Sequence, residues 1–435
     1  PVAAGALAPF SGLPFYLHPM DIVFDTSEMK MIGRAMGEYI ASYREYREIH
    51  IPNSVMPAVR FDPLPQGFTV PPPTGKMNWP IPENIEKPSS PADLAFMSIP
   101  ELGALLRSGQ VTSVELTTFF LDRLKEHDPD LHCVISYTEA YALQQASKMD
   151  LELAGGRDRG ILHGIPYGIK DLFAFPEYKT TWGAAAYREQ QIDVKAGVIE
   201  KLEDAGAVLV AKLTLGALAM GDVWFADTTR NPWNPEQGSS GSSAGSSAAT
   251  AAGLVPFAIG TETYGSIVSP ATRCGVTGLR PTYGRVTRAG AMALSWSMDK
   301  VGPICRSAED CAIVFDAIRG ADPNDPTLIE AGFTYREQDL SNLRIGYFKD
   351  AFDEDYPFQK QDRQSLEVLR KLGADLVPVD LDVELPVDAM TNILLAEAAA
   401  AFDELTRSNR DTLLVRQGEY AWPALFRAAR FMPAV

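Results

Sequence analysis

A run of small residues constrains this chain more than any other part of its sequence. Residues Gly238 to Ser247 are all Gly, Ser or Ala, and an alanine-rich stretch follows directly. A flexible glycine–serine linker would be flanked by polar, low-complexity sequence, but here an apolar strand pattern comes next, from Leu254 to Ile259. A small-residue loop that leads into a core helix is better explained by close backbone packing or by amide groups that face a ligand.

Composition places the chain among globular proteins and argues against some partners. Of its 435 residues, 46% are hydrophobic and 22% are charged, which is too apolar for a disordered chain. The formal net charge is −17, and so acidic a surface repels the phosphates of nucleic acids and of anionic lipids. We therefore expect no nucleic-acid binding by this chain alone. We also expect no membrane span, since the uncharged segment 238–261 contains six serines.

Cysteine and histidine positions narrow the chemistry further. The four cysteines, Cys133, Cys274, Cys305 and Cys311, show no C-x-x-C spacing. We expect free and mostly buried thiols, and neither a zinc ribbon nor a redox pair. None of the five histidines lies beyond His163. Any mechanism that requires a histidine downstream of the small-residue loop is therefore excluded for this sequence.

The beginning of the chain differs in pattern from the rest. Residues 25–50 have helical periodicity and open with a capping-box pattern. Ten prolines between positions 57 and 91 prevent regular structure and favour a segment that wraps along a surface. We predict an N-terminal extension over 1–91 and a main domain over 92–435. That domain is expected to lack its C-terminal end, because the chain stops inside a helix-like apolar pattern.

Beyond residue 91, strand and helix patterns alternate. Two helices open with capping boxes, Ser98 with Glu101 and Thr112 with Glu115. The alternation argues for an α/β fold whose helices cover a largely buried sheet. Further helices are predicted over 198–204 and 365–372, and strands over 207–211, 254–259, 344–348 and 376–379.

Three functional interpretations compete for the small-residue loop. A phosphate-binding loop needs a lysine after its last glycine, and none is present. Gly241 to Gly245 matches the nucleophile-elbow pattern G-x-S-x-G around Ser243, but that mechanism needs a downstream histidine, which is absent. The third interpretation is a serine nucleophile served by a lysine.

Two further segments support a serine–lysine mechanism. Ser266 follows a tight turn, and successive backbone N–H groups there could point at one oxygen, as an oxyanion hole requires. Lys170 ends an apolar, strand-like run. A lysine in that position either extends its ammonium group to the surface or acts as a desolvated base.

Taken together, these segments resemble the amidase signature family. The resemblance covers roughly residues 95–325, and its motifs occur in the family's order. Ser242 and Ser266 lie 24 positions apart, which is the family's spacing. The matching segments are His163-Gly-Ile-Pro-x-x-Ile-Lys170-Asp171, Asn231-Pro-Trp-Asn234, Gly238 to Ser247, Thr263-x-Gly265-Ser266-Ile267-x-x-Pro270-Ala271, Cys274 to Arg285, and Ser297-Met-Asp299.

The resemblance implies a fold and a role for each matching residue. The fold would be a single large α/β domain with a mixed central sheet and helices on both faces. The reaction would need no metal and no organic cofactor. Ser266 would be the nucleophile, Ser242 the bridging serine that follows a cis peptide bond, and Lys170 the base, made neutral by burial. The oxyanion hole would consist of the backbone N–H groups of Thr263, Tyr264, Gly265 and Ser266.

Three positions depart from the family pattern. Tyr264 replaces one of two glycines before the nucleophile, and it would be strained if that position required a positive φ. Val268 replaces an arginine, so a cation that would hold an anionic substrate is missing. Ala244 replaces a glycine, which is a small change. We therefore predict a small neutral amide, ester or carbamate as the substrate.

Other residues near the motifs have simpler interpretations. His163 is expected to be structural, and Asp171 is expected to orient the backbone rather than to act as an acid. Three tryptophans could line a pocket, although buried tryptophans are usually core residues. They are Trp182, Trp224 and Trp296.

The sequence thus predicts a hydrolase of linear C–N acyl bonds that forms an acyl-enzyme on Ser266. The alternative is an amidotransferase A-type subunit that, with a partner subunit, would supply ammonia to a tRNA-bound acid. An inactive binding module is disfavoured, because all three catalytic side chains are present. We expect a cytoplasmic protein that could form a homodimer. Residue 1 is not Met, so export stays open.

Overall fold

The computed structural model describes residues 22, 24–49, 52, 62–65, 67–336, 338–380 and 387–432. The chain is divided into two compact units. The first unit contains residues 1–42, 50–333 and 391–435, and the second contains residues 43–49 and 334–390. The predicted extension lies partly outside the described residues, and its boundary at residue 91 stays a prediction.

The first unit contains a six-stranded mixed sheet and a separate two-stranded ladder. The strands are β1 (Val134–Tyr137), β2 (Pro166–Lys170), β3 (Val208–Leu213), β4 (Arg230–Asn231), β5 (Asn234–Gly238), β6 (Phe257–Glu262), β7 (Thr277–Gly278) and β8 (Lys300–Cys305). The spatial order in the sheet is β1, β3, β2, β6, β8, β7. The central strands β3, β2 and β6 are parallel to one another, whereas β1, β8 and β7 pair antiparallel.

Helices follow most of these strands. In the first unit they are α1 (Thr26–Glu48, whose last turns belong to the second unit), α2 (Pro91–Ala95), α3 (Ile99–Arg107), α4 (Ser113–Leu131), α5 (Glu139–Ala154), α6 (Gly197–Asp204), α7 (Ala244–Ala251), α8 (Val268–Cys274) and α9 (Ala308–Ile318). The second unit has β9 (Arg344–Phe348), α10 (Lys349–Asp353), α11 (Gln359–Lys371) and β10 (Asp375–Val379), with β9 and β10 parallel. The first unit ends with α12 (Thr391–Ala401), α13 (Asp403–Arg407) and α14 (Trp422–Ala429).

Two hydrophobic cores lie on opposite faces of the main sheet. Phe257 and Ile259 of β6 belong to one core, whereas Ala258 between them belongs to the other, because successive strand side chains point to opposite faces. Helices α3, α6 and α9 contribute to the first core, and α5 and α7 contribute to the second. The predicted fold class, a mixed sheet covered by helices on both faces, is therefore confirmed.

Helix starts agree with the sequence patterns. In α1, the Asp25 carboxylate accepts the N–H of Glu28 at 2.8 Å, and the Glu28 carboxylate accepts the N–H of Asp25 at 2.8 Å. The predicted capping boxes at the starts of α3 and α4 are both present. These reciprocal bonds satisfy backbone donors that the first helical turn leaves free.

The strand predicted over 254–259 is displaced along the chain. It begins at Phe257 and continues to Glu262. The reason lies at the end of α7, where the N–H of Leu254 bonds back to the Ala249 carbonyl at 2.8 Å and closes the helix. The displacement matters because it places Thr261 and Glu262 inside the central strand β6.

Two expectations from composition can be compared directly with the structure. All four cysteines are free and buried, as predicted. Among the helices in the described part of the chain, none has the length and apolar character needed to cross a membrane.

Candidate active site

Lys170 is the last residue of β2 and is completely buried. Its side-chain nitrogen, Nζ, lies 2.9 Å from Ser242 Oγ, 3.0 Å from Ser243 Oγ and 2.9 Å from Thr261 Oγ1. The Thr261 carbonyl oxygen lies 3.3 Å away. Within the described residues, these hydrogen-bonding partners are all neutral oxygens, and no carboxylate forms an ion pair with Lys170.

Burial sets the protonation state of this lysine. Removal from water lowers the pKa of Lys170 from 10.5 to about 7, although the charges of Asp299 and Glu262 oppose the shift. A substantial fraction of Lys170 is therefore neutral near pH 7. A neutral amine is the form that can accept a proton.

The two serines beside Lys170 differ in their other hydrogen bonds. Ser243 Oγ donates to the Thr261 carbonyl at 3.0 Å and accepts the Thr261 N–H at 3.2 Å. For Ser242 Oγ, Lys170 is the single hydrogen-bonding partner among the described residues. The hydroxyl hydrogen of Ser242 can therefore point at the lone pair of a neutral Lys170. Ser243 instead ties the small-residue loop to β6.

The backbone of the small-residue loop is closely packed. The peptide bond between Gly241 and Ser242 is cis, as the family resemblance implies. A Cβ atom added at Gly241 would lie 1.8 Å from the Gly221 carbonyl oxygen, so only glycine fits there. The loop leads into α7, where residues 244–250 are all buried. The alternative of a flexible linker is therefore wrong.

Ser266 lies in the turn between β6 and α8, with 9% of its surface exposed. Gly265 has a φ of +91°, a left-handed value that favours glycine. Tyr264 does not have a positive φ, so the strain considered for it is absent, and its side chain is exposed. The Ser266 carbonyl accepts the Ser243 N–H at 3.1 Å. This bond joins the Ser266 turn to the small-residue loop.

Glu262 holds the turn around Ser266 in place. Its buried carboxylate accepts the backbone N–H groups of Ile267 and Val268 at 2.8 and 3.0 Å, and Arg280 donates to its other oxygen at 2.9 Å. Burial alone would raise the pKa of Glu262, but these hydrogen bonds hold it below its usual value. Sequence reasoning missed this residue, although a glutamate three positions after an apolar strand pattern is a signal that could have found it.

The same turn leaves backbone donors unused. Across the described residues, no hydrogen bond involves the backbone N–H of Tyr264, Gly265 or Ser266. The preceding Thr263 is fixed by its hydroxyl, which donates to Asp299 Oδ1 at 2.6 Å. Consecutive unpaired N–H groups beside a serine are what the stabilisation of a developing oxyanion requires.

Asp171 belongs to an ion pair rather than to the group around Lys170. Its carboxylate lies 2.7 Å from the nitrogen of Lys212, which is also completely buried, and it accepts the Thr181 N–H at 2.8 Å. Burial raises the pKa of Asp171, and the charge of Lys212 opposes that shift. This arrangement agrees with the backbone-orienting role expected for Asp171. Lys212 itself was missed, because it stands within an otherwise apolar strand pattern.

His163 is a buried residue with main-chain partners. One ring nitrogen lies 2.9 Å from the Met149 carbonyl oxygen, and the other accepts the Arg159 N–H at 3.1 Å. Both nitrogens are therefore occupied by backbone groups. The structure supports the structural role expected for this histidine.

The three tryptophans separate into two kinds of environment. Trp182 packs against the rings of Tyr187 and Phe402, and Trp224 packs against a neighbouring phenylalanine. Trp296 is 51% exposed and borders a cavity. Of the three, Trp296 is the one that borders the same cavity as Thr261, a partner of Lys170.

Two cavities differ in their relation to Lys170. One, of about 240 Å³, is bordered by Thr261, the partner of Lys170, and by Thr263. The other, of about 750 Å³, lies elsewhere in the first unit and borders Lys76, Lys201 and Arg319. Lys76 donates to three carbonyls at the end of α9, so it closes a helix there. The smaller cavity is therefore the one connected with the candidate site.

The comparisons with known proteins identify the family. The model of the family named Amidase matches residues 115–425. This chain belongs to the amidase family, and its mixed α/β fold is the fold of amidase signature structures.

Similar curated proteins are amidotransferase subunits. The A subunit of the glutamyl-tRNA(Gln) amidotransferase of Thermoanaerobacter pseudethanolicus is 37% identical over 318 residues, or 71% of this chain and 65% of that protein. The protein of the same name from Coxiella burnetii is 39% identical over 296 residues, or 66% of this chain and 61% of that protein. The chain thus spans less than two thirds of the length of these relatives.

Similar solved structures include a peptide amidase and an amidotransferase subunit. The native peptide amidase of Stenotrophomonas maltophilia matches with a TM-score of 0.70 and 32% identity, over 78% of this chain and 76% of that chain. The A subunit of the glutamyl-tRNA(Gln) amidotransferase of Thermotoga maritima matches with a TM-score of 0.62 and 29% identity, over 74% of this chain and 70% of that chain. The relatives therefore support an amide-cleaving enzyme and fall into two kinds, amidases and amidotransferase subunits.

Proposed function

We propose that this chain is an amidohydrolase that cleaves linear C–N bonds of amides through an acyl-enzyme on Ser266. Esters and carbamates with the same acyl groups would be further substrates. The observation that carries the proposal is the environment of Lys170, which is completely buried, has a pKa of about 7 and lies 2.9 Å from Ser242. A buried lysine without a counter-ion destabilises a fold but is well suited to proton transfer.

Acylation would move one proton along these residues. Ser266 Oγ would attack the carbonyl carbon and give its proton to Ser242 Oγ, while the Ser242 proton moves to neutral Lys170. The carbonyl oxygen would become negatively charged and would be stabilised by the backbone N–H groups of residues 263–266. When the C–N bond breaks, the proton would return from Lys170 through Ser242 to the leaving amine.

Deacylation would use the same groups in reverse order. A water molecule would attack the ester carbon on Ser266 and give a proton to the Ser242–Lys170 pair. Collapse of the intermediate would break the C–O bond to Ser266, return its proton and release the acid. No step needs a group other than these three side chains, the turn N–H groups and water.

The side chain that follows the nucleophile turn supports a neutral substrate. Val268 is 39% exposed at the start of α8, where the family pattern has an arginine. Without that cation, a carboxylate on the substrate would lose solvation and gain no partner at this position. We expect neutral aryl and alkyl amides to be cleaved better than monoamides of dicarboxylic acids, and Val268→Arg to reduce that preference.

The nucleophile can be identified by labelling. A serine-reactive fluorophosphonate followed by peptide mass spectrometry should place the adduct on Ser266. Ser266→Ala should remove essentially all amide turnover and leave the circular dichroism spectrum unchanged. An adduct on Ser243 would contradict the proposal and restore the nucleophile-elbow interpretation.

The two neighbouring serines provide a matched pair for the relay. Ser242→Ala should lower the acylation rate by about 10²–10⁴-fold, which is the usual contribution of a positioned proton-transfer group, and by less than Ser266→Ala. Ser243→Ala also removes one contact with Lys170, but it removes two hydrogen bonds to Thr261 that join the loop to β6, so it should lower thermal stability more than the acylation rate. The reverse order of effects on acylation would assign the relay to Ser243.

The amidotransferase subunits among the relatives favour a second candidate function. A protein of that kind would release ammonia from glutamine and transfer it to a tRNA-bound acid with a partner protein. Ammonia release should be measured for glutamine and for a neutral aryl amide in parallel. Efficient cleavage of the aryl amide without any partner supports the hydrolase, whereas activity restricted to glutamine supports the amidotransferase function.

A further inference from the structure

The cavity of about 240 Å³ that Thr261 connects with Lys170 is bordered by both polar and apolar residues. Thr261 and Thr263 border it at the end of β6. Thr261 contacts Lys170, and Thr263 opens the turn that leads to Ser266. The apolar wall is formed by Leu172, Ala219, Met292, Leu294, Trp296 and Val301.

We propose that this cavity is the acyl pocket of the enzyme and that it selects a neutral, apolar acyl group of about one aromatic ring. The inference rests on the proposed function, because an acyl pocket has meaning only if an acyl-enzyme forms. It adds to that function the place of the acyl group, its size limit and the residues that set the limit.

The position of the cavity favours the acyl side of the substrate over the leaving-group side. The acyl group is bonded directly to the carbonyl carbon, whose oxygen would lie against the N–H groups of residues 263–266. The leaving nitrogen must instead face Ser242, from which it receives its proton. The cavity borders Thr263, whose N–H is one of the groups proposed to bind the carbonyl oxygen. Lys170, Ser242 and Ser266 are not among its lining residues, so its link to the site runs through Thr261, which contacts Lys170, and through Thr263.

The charged residues around the cavity already have hydrogen-bonding or ionic partners. Two cations, Arg288 and Lys300, and two carboxylates, Asp299 and Asp325, border it. Arg288 donates to the Trp296 carbonyl at 2.6 Å, and its Nε lies 3.7 Å from Asp325. Lys300 donates to the Thr263 carbonyl at 3.2 Å and to a second carbonyl. A charged acyl group would find these ions already engaged, whereas a neutral group would not disturb them.

The volume of the cavity sets the size limit. A buried apolar cavity of about 150 Å³ is large enough to bind benzene. At about 240 Å³, this cavity holds a benzoyl or hexanoyl group, and it lies below the range of about 300–1,000 Å³ that is typical of sites for drug-sized ligands. A long fatty acyl chain does not fit within it.

Two residues of the cavity wall, Ala219 and Trp296, are suited to changing its size and its apolar surface. Ala219 has a φ of +62° and, with 9% of its surface exposed, contributes a small side chain to the wall. Trp296 stands half-exposed at the rim, and its carbonyl is held by Tyr283 at 2.8 Å and by Arg288. A larger side chain at position 219 would fill the cavity, and loss of the Trp296 ring would remove an apolar surface that an aromatic acyl group can pack against.

The proposal is tested with a series of p-nitroanilides that carry acetyl, hexanoyl, benzoyl, decanoyl or succinyl groups. For the wild type, kcat/KM should be highest for hexanoyl and benzoyl and lowest for succinyl and decanoyl.

Ala219→Leu should reduce kcat/KM for benzoyl by about tenfold or more, and that for acetyl by much less. Trp296→Ala, at an exposed position that should not affect folding, should raise KM for benzoyl selectively. Tyr420→Ala, a change of another exposed aromatic residue, is the control and should leave every ratio unchanged.

A second measurement tests ligand binding in the cavity without turnover. Calorimetric titration of Ser266→Ala with benzamide should show saturable binding, and Ala219→Leu in the same background should remove it. Equal binding of benzamide in both variants overturns the acyl-pocket assignment. The assignment is also overturned if Ala219→Leu and Trp296→Ala leave the order of kcat/KM values across the acyl series unchanged. A change of kcat/KM with the leaving amine alone has the same consequence. Fluorophosphonate labelling distinguishes failure of the acyl pocket from failure of the proposed function. If Ser266 is labelled but the acyl preferences of the variants are unchanged, only the acyl pocket is contradicted. If Ser266 is not labelled, the proposed function is contradicted.

Discussion

Two neighbouring parallel strands of the central sheet each bury a lysine, Lys170 in β2 and Lys212 in β3. In the register of the two strands, Lys212 is paired with Ile169, the residue before Lys170. Because successive strand side chains point to opposite faces, the two lysines extend to opposite sides of the sheet. Both have lost all contact with water, and burial lowers the pKa of both.

The partners of the two lysines make the difference between them. Lys212 has a carboxylate, Asp171, at 2.7 Å, and it also donates to the Lys179 carbonyl and the Thr180 hydroxyl. Lys170 has three hydroxyls and a carbonyl. Equal burial therefore gives a structural ion pair in one case and a candidate base in the other. The presence of a counter-ion, rather than burial, separates the two roles.

Of the two lysines, Lys170 should have the larger effect on activity when it is replaced. Lys170→Met removes the proposed base, so kcat/KM for a neutral amide should fall by about 10²–10⁴-fold. The fold should be retained or stabilised, because a buried lysine without a counter-ion is replaced by an apolar side chain. Steady-state kinetics and urea denaturation on the same preparation measure both effects. A near-normal rate in this variant would rule out the serine–serine–lysine assignment.

Replacement of Lys212 should mainly affect stability. Lys212→Met leaves Asp171 buried without its cation, and the free energy of unfolding should fall by about 3–5 kcal/mol. Asp171→Asn added to Lys212→Met removes the unpaired charge and should recover most of the loss. Urea denaturation of the single and double variants measures this recovery. Equal stability of Lys212→Met and the wild type would show that the Asp171–Lys212 ion pair does not stabilise the fold, and the contrast with Lys170 would be lost.

The pH dependence of activity should report Lys170 alone. Its pKa is about 7, and the base acts only when it is deprotonated. Below that pKa, kcat/KM should therefore rise by about tenfold per pH unit, and it should level off above it. An activity that stays constant from acidic to alkaline pH would show that no group with this pKa acts as the base.

Stability should depend on pH through the same group. The folded state holds Lys170 with a pKa of about 7, below the value of about 10.4 in an unfolded chain. Between these two values the unfolded chain binds more protons, so the free energy of unfolding should increase with pH in that window. Lys170→Met should weaken this increase when the two proteins are compared by denaturation at several pH values. An identical slope in both would place the titration on another group.

The smallest effect on rate is expected for His163, which lies outside both lysine environments. His163→Ala leaves the Met149 carbonyl and the Arg159 N–H without their partner, so the free energy of unfolding should fall by about 1–3 kcal/mol. The acylation rate of the folded protein should change little. Loss of acylation at normal stability would point to a histidine mechanism instead.

Much of the fold could be predicted from local patterns. Capping boxes located the starts of α3 and α4, because the capping hydrogen bonds involve residues three positions apart. The strand after α7 was displaced by three residues, because residues 254–256 form a bend after α7 is closed by the bond from the Leu254 N–H to the Ala249 carbonyl. That closure depends on backbone geometry, which periodicity does not encode.

The candidate site was predictable as a set of motif residues but not as a set of partners. Motif order identified Lys170, Ser242 and Ser266, and their catalytic roles stay a proposal. The sequence could not indicate that Ser243 shares the contact with Lys170, or that Glu262 accepts two N–H groups of the Ser266 turn. The first contact joins the small-residue loop to β2, and the second joins the end of β6 to the turn that follows it.

What the sequence determined by itself was the chemistry available: no histidine beyond residue 163, a small-residue loop before a helix, and a lysine at the end of an apolar run. Within residues 1–435, those features argue against a base histidine downstream of the loop and favour serine with lysine. Only the tertiary structure decided which buried lysine lacks a counter-ion, because Lys170 and Lys212 both stand in apolar strand patterns. The pKa of a lysine depends on the solvent and charges that surround it in three dimensions, and these are fixed only when the strands, the loop and the turn are packed together.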